Sequence, residues 1–274
     1  MKALTLLIAG TFALGLSAMP PARQLDMPAG SHHPVLSPDG TTLLFSTDTH
    51  TGLSAMDLGT GSVRELDAAA GVGFQPVFSL DGSTVYYRSA EVRDGLMMRD
   101  VRSCRIDNGE PAVLAAPSRN NVDMQAYAGG DYARADYRTV KVSRNGVETS
   151  INPLADSHSY LWASLSPDGS RLLFAEPFKG VFVSNADGSE ARKVLDKGDY
   201  PTWAGNNSII AVVTHDDGYV VLDSRLVLVN IGTGISSDLT PDTVKVGEAT
   251  ASASGTVVYT DLSGNMFIID LNEL

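Results

Sequence analysis

Residues 23–30 read Arg-Gln-Leu-Asp-Met-Pro-Ala-Gly, and residues 64–71 read Arg-Glu-Leu-Asp-Ala-Ala-Ala-Gly. Arg, Leu, Asp, Ala and Gly recur at the same offsets. A Ser-Pro-Asp-Gly turn follows the first stretch at Ser37–Gly40, and Ser-Leu-Asp-Gly follows the second at Ser79–Gly82. Repetition at this period marks a chain built from stacked copies of one supersecondary unit. The first copy lacks the hairpin that should precede it. It therefore reads as a strand that closes a circle from the N-terminal side.

Working outward, turn signals recur along the chain. Asp39-Gly40, Asp81-Gly82 and Asp168-Gly169 each precede an apolar run: Leu43-Leu44-Phe45, Val85-Tyr86-Tyr87 and Leu172-Leu173-Phe174. Asp-Gly suits a tight hairpin because it tolerates positive φ while Asp satisfies local amides, and the β-branched and aromatic residues beyond it favour a strand. A second ladder of turns interleaves with the first: Gly59-Thr60-Gly61, Asn108-Gly109, Asn145-Gly146, Asp187-Gly188 and Gly232-Thr233-Gly234. Successive turns lie roughly 37 to 48 residues apart, the range of a four-stranded propeller blade. The expected fold is all-β, a six-bladed β-propeller of four-stranded antiparallel blades, over about residues 31–71, 72–120, 121–156, 157–198, 199–243 and 244–274. The sixth blade ends after the strand Met266-Phe267-Ile268-Ile269 with three strands of its own. Residues 23–30 supply the fourth, so that ring closure removes exposed sheet edges.

Residues 1–22 read as a secretory signal peptide. Lys2 is followed by the apolar run Ala3–Leu16, then by small residues and Pro20-Pro21, with cleavage near Ala18 or Ala22. The run is too short to span a bilayer, which takes roughly 20 apolar residues, so no transmembrane segment is expected after cleavage. The remaining 23–274 form one large all-β domain. Its single cysteine, Cys104, excludes an internal disulfide and reads as a small buried hydrophobe rather than a nucleophile. Export without disulfides points to a bacterial periplasm or exterior. The chain carries 32 acidic and 20 basic residues, net −12, which opposes nucleic acid and anionic membrane surfaces.

The motif x-Pro-x-x-Ser-Pro-Asp-Gly-x-x-apolar-apolar-Phe, clearest in Pro34–Phe45 and recurring with changes in Pro76–Tyr87 and Ala163–Phe174, resembles the TolB-like β-propeller repeat. The resemblance covers nearly all of residues 23–274. Blades three, five and six are degenerate: Gly129-Gly130-Asp131, Asn206-Asn207 and Ser252–Gly255 stand where the turn is expected. Only the propeller portion is matched; 274 residues leave no room for the α/β domain that precedes it in the full TolB form. Nor is there room for the serine peptidase domain that follows it in relatives, and no Gly-x-Ser-x-Gly elbow occurs.

In such a propeller the first strand of each blade lines the central channel. The residues just before the Pro-x-x-Ser-Pro-Asp-Gly element should point into its mouth: His33, Gln75, Met124, Trp162, Tyr200 and Glu248. The neighbouring column is His32, Phe74, Asp123, Leu161, Asp199 and Gly247. From these His33, Gln75, Asp123, Trp162, Tyr200 and Glu248 are the candidate binding residues. No catalytic residue, cofactor or metal ligand is marked. Ca²⁺ or a transition metal in the channel is the alternative, since imidazole and carboxylate could converge there. Trp162, Tyr200 and Phe74 suit stacking on a glycan or anchoring of a peptide, though inter-blade packing is the favoured reading of any one of them. His50 reads as a solvated turn residue, and His158 as part of a link. The run Arg88, Arg93, Arg99, Arg102 and Arg105 reads as a docking patch for an anion or as solvated strand positions with interleaved acids. The functional expectation is a non-catalytic, monomeric, periplasmic or secreted propeller that binds a protein or peptide partner. The alternative is a glycan- or small-molecule-acting enzyme or sensor with its site in the channel.

Overall fold

A computed structural model describes residues 19–119, 124–156 and 159–273. Residues 1–18 of the expected signal peptide 1–22 lie outside them, as do Asp123 and His158. The described chain is almost entirely strand, arranged as six small antiparallel sheets in a ring.

Blade one is β2 (His32–Leu36), β3 (Thr42–Ser46), β4 (Leu53–Asp57) and β5 (Val63–Asp67), in that order from the channel outward. Blade two is β6 (Val77–Phe78), β7 (Thr84–Tyr87), β9 (Leu96–Arg105) and β10 (Ala112–Ser118), with the short β8 (Ala90–Arg93) paired on β9. Blade four is β14 (Leu161–Leu165), β15 (Arg171–Glu176), β16 (Gly180–Asn185) and β17 (Arg192–Leu195). Blade five is β18 (Asp199–Trp203), β19 (Ser208–Asp216), β20 (Val221–Asn230) and β21 (Ser236–Asp238).

Blade six closes the ring as expected. Its strands β22 (Val246–Ala251), β23 (Thr256–Asp261) and β24 (Met266–Asp270) are joined by β1 (Arg23–Gln24), with Arg23 opposite Ile268 and Gln24 opposite Phe267. The Leu25 amide donates to the Met266 carbonyl at 2.9 Å, extending the seam. The sequence match carries over to conformation. Leu25 and Leu66 are both buried, and Gly30 and Gly71 both sit in the left-handed region at φ +78° and +77°.

Blade three departs from the pattern. It has three described strands, β11 (Tyr132–Asp136), β12 (Thr139–Arg144) and β13 (Val147–Ile151), and β11 packs on β14 as the second strands of other blades pack on the next inner strand. The inner position is taken by the short helix α1 (Gln125–Ala128), which contacts β6 and β7. The segment Gln-Ala-Tyr-Ala has no β-branched residue and two alanines, so it favours a helical turn. Met124, expected on the channel column, is instead buried at the N-terminus of α1.

The repeated turns have a shared physical basis. In Ser37–Thr42 the Ser37 amide donates to the Thr42 carbonyl, and the Thr42 amide to Ser37 Oγ, both at 2.9 Å. Ser37 Oγ in turn donates to Asp39 Oδ1 at 2.6 Å. Ser79/Asp81/Thr84 and Ser166/Asp168/Arg171 repeat the arrangement. The loop is thus wider than the two-residue hairpin suggested by Asp-Gly, and Asp acts by accepting the serine hydroxyl. Those bonds hold the Asp81 and Asp168 carboxyls down at about 2. Asn145-Gly146 is the two-residue case, with both residues at positive φ.

Five clusters of buried side chains each bridge two neighbouring blades. The cluster at the seam holds Leu25 with Leu36, Leu43, Phe45 and Met56 of blade one and Val258 and Met266 of blade six. The arginine of the repeat also works between blades. Arg64 on β5 donates to the carbonyls of Ile106 and Gly109 in blade two, and Arg192 on β17 donates to that of Ile231 in blade five. Cys104 is buried in the cluster between blades one and two, and burial pushes its thiol up.

Candidate functional site

Each inner strand begins at one face of the ring, and the loop between second and third strands opens on that same face. The mouth is therefore built from strand starts and these loops. Four of the column residues share an unusual backbone there: His33 (φ 57°), Gln75 (φ 51°), Trp162 (φ 49°) and Tyr200 (φ 52°) are all left-handed. Register slips at the same place in β2, β14 and β18, between His32 and Val35, Leu161 and Ser164, and Asp199 and Thr202. These are β-bulges, in which an extra residue re-aims the side chain and ends the local pairing. Pro34 and Pro201 follow two of them and lack the N–H that a regular ladder would need. Such conformations cost about 1–3 kcal/mol for a non-glycine residue, so the surrounding packing must hold them. Blade six has the corresponding slip, between Val246 and Ala249, without a left-handed residue at Glu248.

Glu248 and His33 form the centre of one cluster. Glu248 Oε1 lies 2.8 Å from His33 Nδ1, and Oε2 accepts the His33 amide at 2.9 Å. The glutamate backbone is fixed by its amide donating to Thr260 Oγ1 at 2.9 Å. His33 Nε2 faces the Asp48 carbonyl at 3.3 Å. Both ring nitrogens thus lie within reach of oxygen atoms of the protein. The His50 ring stacks on His33 with centroids 3.9 Å apart, and Phe74 meets His50 edge-on at 5.1 Å. Arg88 lies over the Phe74 ring at 5.0 Å. His50 is held down in proton affinity by burial first and by the facing His33 second. The expectation of a solvated turn histidine at position 50 is therefore corrected. Its own carbonyl accepts the Gly73 amide at 3.1 Å, which pins the loop to blade two and turns the ring inward.

The second cluster lies across the mouth on blades four and five. Trp162 and Tyr200 sit with ring centroids 5.6 Å apart, each 38% exposed. Burial raises the Tyr200 phenol, and the carboxylates of Glu248 and Asp199 raise it further, so Tyr200 links the two clusters electrostatically. Below Trp162 is a cavity of about 270 Å³ lined by Glu176, Asp199, Thr214 and Asp216, among others.

Of the expected binding residues, His33 and Glu248 are in direct contact, as are Trp162 and Tyr200. Gln75 is exposed just before β6, and Asp123 lies outside the described residues. His50, Phe74, Glu176 and Asp199 join the mouth without having been among them. The alternation of hairpins is the signal that could have found His50 and Glu176, because it places the loop after every second strand on the face where inner strands begin. Among the described residues no three His, Cys, Asp or Glu side chains are grouped to hold a metal ion. No helix among them is long and apolar enough to cross a membrane.

The arginine run is mostly neutralised locally. Arg102 contacts Asp67 and Asp100, each at 2.9 Å, Arg105 pairs with Asp107 and Arg93 with Glu91. His215 faces Asp223 at 3.4 Å beside a hairpin whose Asp217 accepts the amides of Tyr219 and Val220.

No family model and no curated protein sequence matches the chain. Solved structures do. A TolB candidate from Agrobacterium tumefaciens matches with TM-score 0.55 at 16% identity, over 87% of this chain and 88% of that one. A chain of the mitotic checkpoint complex matches with TM-score 0.56 at 10% identity, over 99% and 97%. The acylaminoacyl peptidase of Pyrococcus horikoshii matches with TM-score 0.53 at 13% identity, over 85% of this chain and 42% of that one. At these identities the shared property is the fold alone, a β-propeller, which in this chain has six blades.

Proposed function

We propose that this chain is a non-catalytic propeller that binds a protein or peptide partner at the channel mouth, in the bacterial periplasm or outside the cell. The observation that carries the proposal is the rim. Four large side chains, His33, Gln75, Trp162 and Tyr200, occupy the matching rim position of blades one, two, four and five in a strained left-handed conformation. Blade six makes the same bulge without that strain, so the bulge alone does not demand it. Strain retained at a repeated surface position fits a pre-organised binding surface. Trp162, Tyr200 and Phe74 are exposed there by 38 to 40%, and half-exposed aromatics on a rigid frame suit partner anchoring.

The His33–Glu248 pair adds a fixed polar cluster to the rim: one carboxylate holds both the imidazole and the His33 amide, which suits a rigid recognition surface. The excess of acidic residues favours a partner with cationic groups.

Immobilised wild-type chain should retain a discrete protein from envelope extract at low salt. The Trp162→Ala/Tyr200→Ala double variant should lose it. Equal retention by both would refute the mouth as the binding surface. A glycan- or small-molecule-directed role is the second reading, favoured by the Trp162–Tyr200 pair, whose ring faces suit sugar stacking. Saturable binding on a glycan array by the wild type, lost in the same double variant, would select it.

A further inference from the structure

The cavity beneath Trp162 sits between blades four and five. The end of β15, the Asp196–Gly198 link and the start of β18 enclose it. Its volume, about 270 Å³, is just under the roughly 300–1,000 Å³ of drug-sized ligand sites, so it suits one side chain or a small fragment.

Glu176 is its distinguishing feature. The residue is 1% exposed, and its Oε2 accepts the Phe178 amide at 2.9 Å. Its Oε1 is buried with no hydrogen-bond partner among the described residues. A buried carboxylate oxygen left unmatched costs folding free energy, and native proteins rarely keep one without a use. The lining also holds Asp199 and Asp216 beside the cation Lys197, and Asp196, which is already paired with Lys193 at 3.0 Å. Burial pushes the Asp199 carboxyl up despite its hydrogen bond with Thr214, which marks a second acid short of compensation.

The charge balance calls for a cation, and the geometry narrows its kind. The described residues offer no three-ligand group for a metal ion. A guanidinium is matched best by two free oxygens of one carboxylate, and Glu176 has already committed one. A primary ammonium is a compact point charge that a single free oxygen can meet. The face of Trp162 and the side of Leu161 offer apolar wall for a methylene stem and ring face for the charge.

We infer that this cavity takes the ammonium of an alkylamine side chain, a lysyl residue of the partner, seated against Glu176 Oε1 with its stem along Trp162. The inference rests on the mouth being the partner-binding surface and names the group that the mouth would read.

The test uses the full chain and defined probes. Nα-acetyl-lysine methylamide is titrated while Trp162 fluorescence is followed, with Trp162→Phe identifying the signal against the buried Trp203. The expected result is a saturable change that weakens about tenfold or more when the probe's amine is acetylated, the discrimination expected of a buried charge-assisted hydrogen bond. Glu176→Gln keeps the shape and the Phe178 contact and should weaken the probe by a similar factor. Asp199→Asn, which leaves Glu176 in place, should weaken it in the same direction and stands in if Glu176→Gln does not fold. An n-butylamine arm separates sources: equal binding marks a site for free amines, and tighter binding of the lysyl probe marks a peptide site. No saturable change with any amine, or an undiminished response in Glu176→Gln or with the acetylated probe, would overturn the inference. Trp162-dependent capture of a partner that persists in that case would leave the binding reading standing.

Discussion

Removing the N-terminal strand should open the ring, and the structure sets the size of the effect. Leu25 is 6% exposed and fills the seam between blades six and one. Cutting it to alanine removes buried methyl groups and leaves a cavity against Met56, Val258 and Met266, whose positions are held by their own strands. Such a change costs about 2–5 kcal/mol, and the enclosed site argues for about 3. In a domain of this size each kcal/mol moves the melting temperature by about 2–4 °C, so Leu25→Ala should melt about 6–12 °C below the parent. Deleting residues 23–30 also removes the half-buried Met27 and the seam's backbone bonds, including that of Leu25 to Met266, at about 1 kcal/mol each. It should cost about 5 kcal/mol, or about 10–20 °C. Thermal unfolding followed by circular dichroism reads both, with Arg23→Ala, an exposed neighbour, as a near-neutral control. Leu66→Ala, at the matching place in blade one, should lose about as much as Leu25→Ala. If Leu25→Ala and the deletion both melt with the parent, the closure argument is wrong.

Asp67 accepts from buried Tyr87 and from Arg102, so Asp67→Ala should cost about 2–4 kcal/mol by denaturant unfolding, more than Leu25's exposed neighbours by far. Stability should fall with pH in two stages. His50 has its proton affinity lowered in the fold, so the unfolded chain binds more protons just below the usual histidine value of 6.5, and stability declines as pH drops through that region. Asp81 and Asp168, held at about 2, contribute stability above the usual carboxyl value of 3.8 that is lost as pH falls from there towards 2. A flat denaturation midpoint from pH 7 to pH 3 would contradict both assignments. Cys104, with its thiol buried and raised, should resist maleimide labelling in the native state and react fully in denaturant.

The ring was legible in the sequence because its turns carry their own chemistry. Ser, Asp and Gly at fixed spacing satisfy the loop amides locally, so the motif marks the first hairpin of blades one, two and four. Blade three was not legible for the same reason. With no serine–aspartate turn there, nothing marked the register, and the inner position went to a helical turn at Gln125–Ala128. At the mouth, column counting placed His33, Trp162, Tyr200 and Glu248 together because the strand period is rigid. It could not show the left-handed backbone of His33, Trp162 and Tyr200, which sits at bulges that one-dimensional spacing does not encode. Loop residues were missed for a related reason. His50 and Glu176 are distant in sequence from the inner strands and reach the mouth only through hairpin alternation.

The central claim is that the mouth, and not the opposite rim, meets the partner. Site-specific photo-crosslinking in bacterial cells expressing the chain tests it directly. One crosslinker replaces Tyr200 at the mouth. Another replaces Leu80, which is 69% exposed in the Ser79–Gly82 turn at the other end of the channel. The account expects a discrete crosslinked product from position 200, suppressed by Trp162→Ala, and none from position 80. A product from position 80 alone, or one from position 200 that ignores Trp162→Ala, would contradict it.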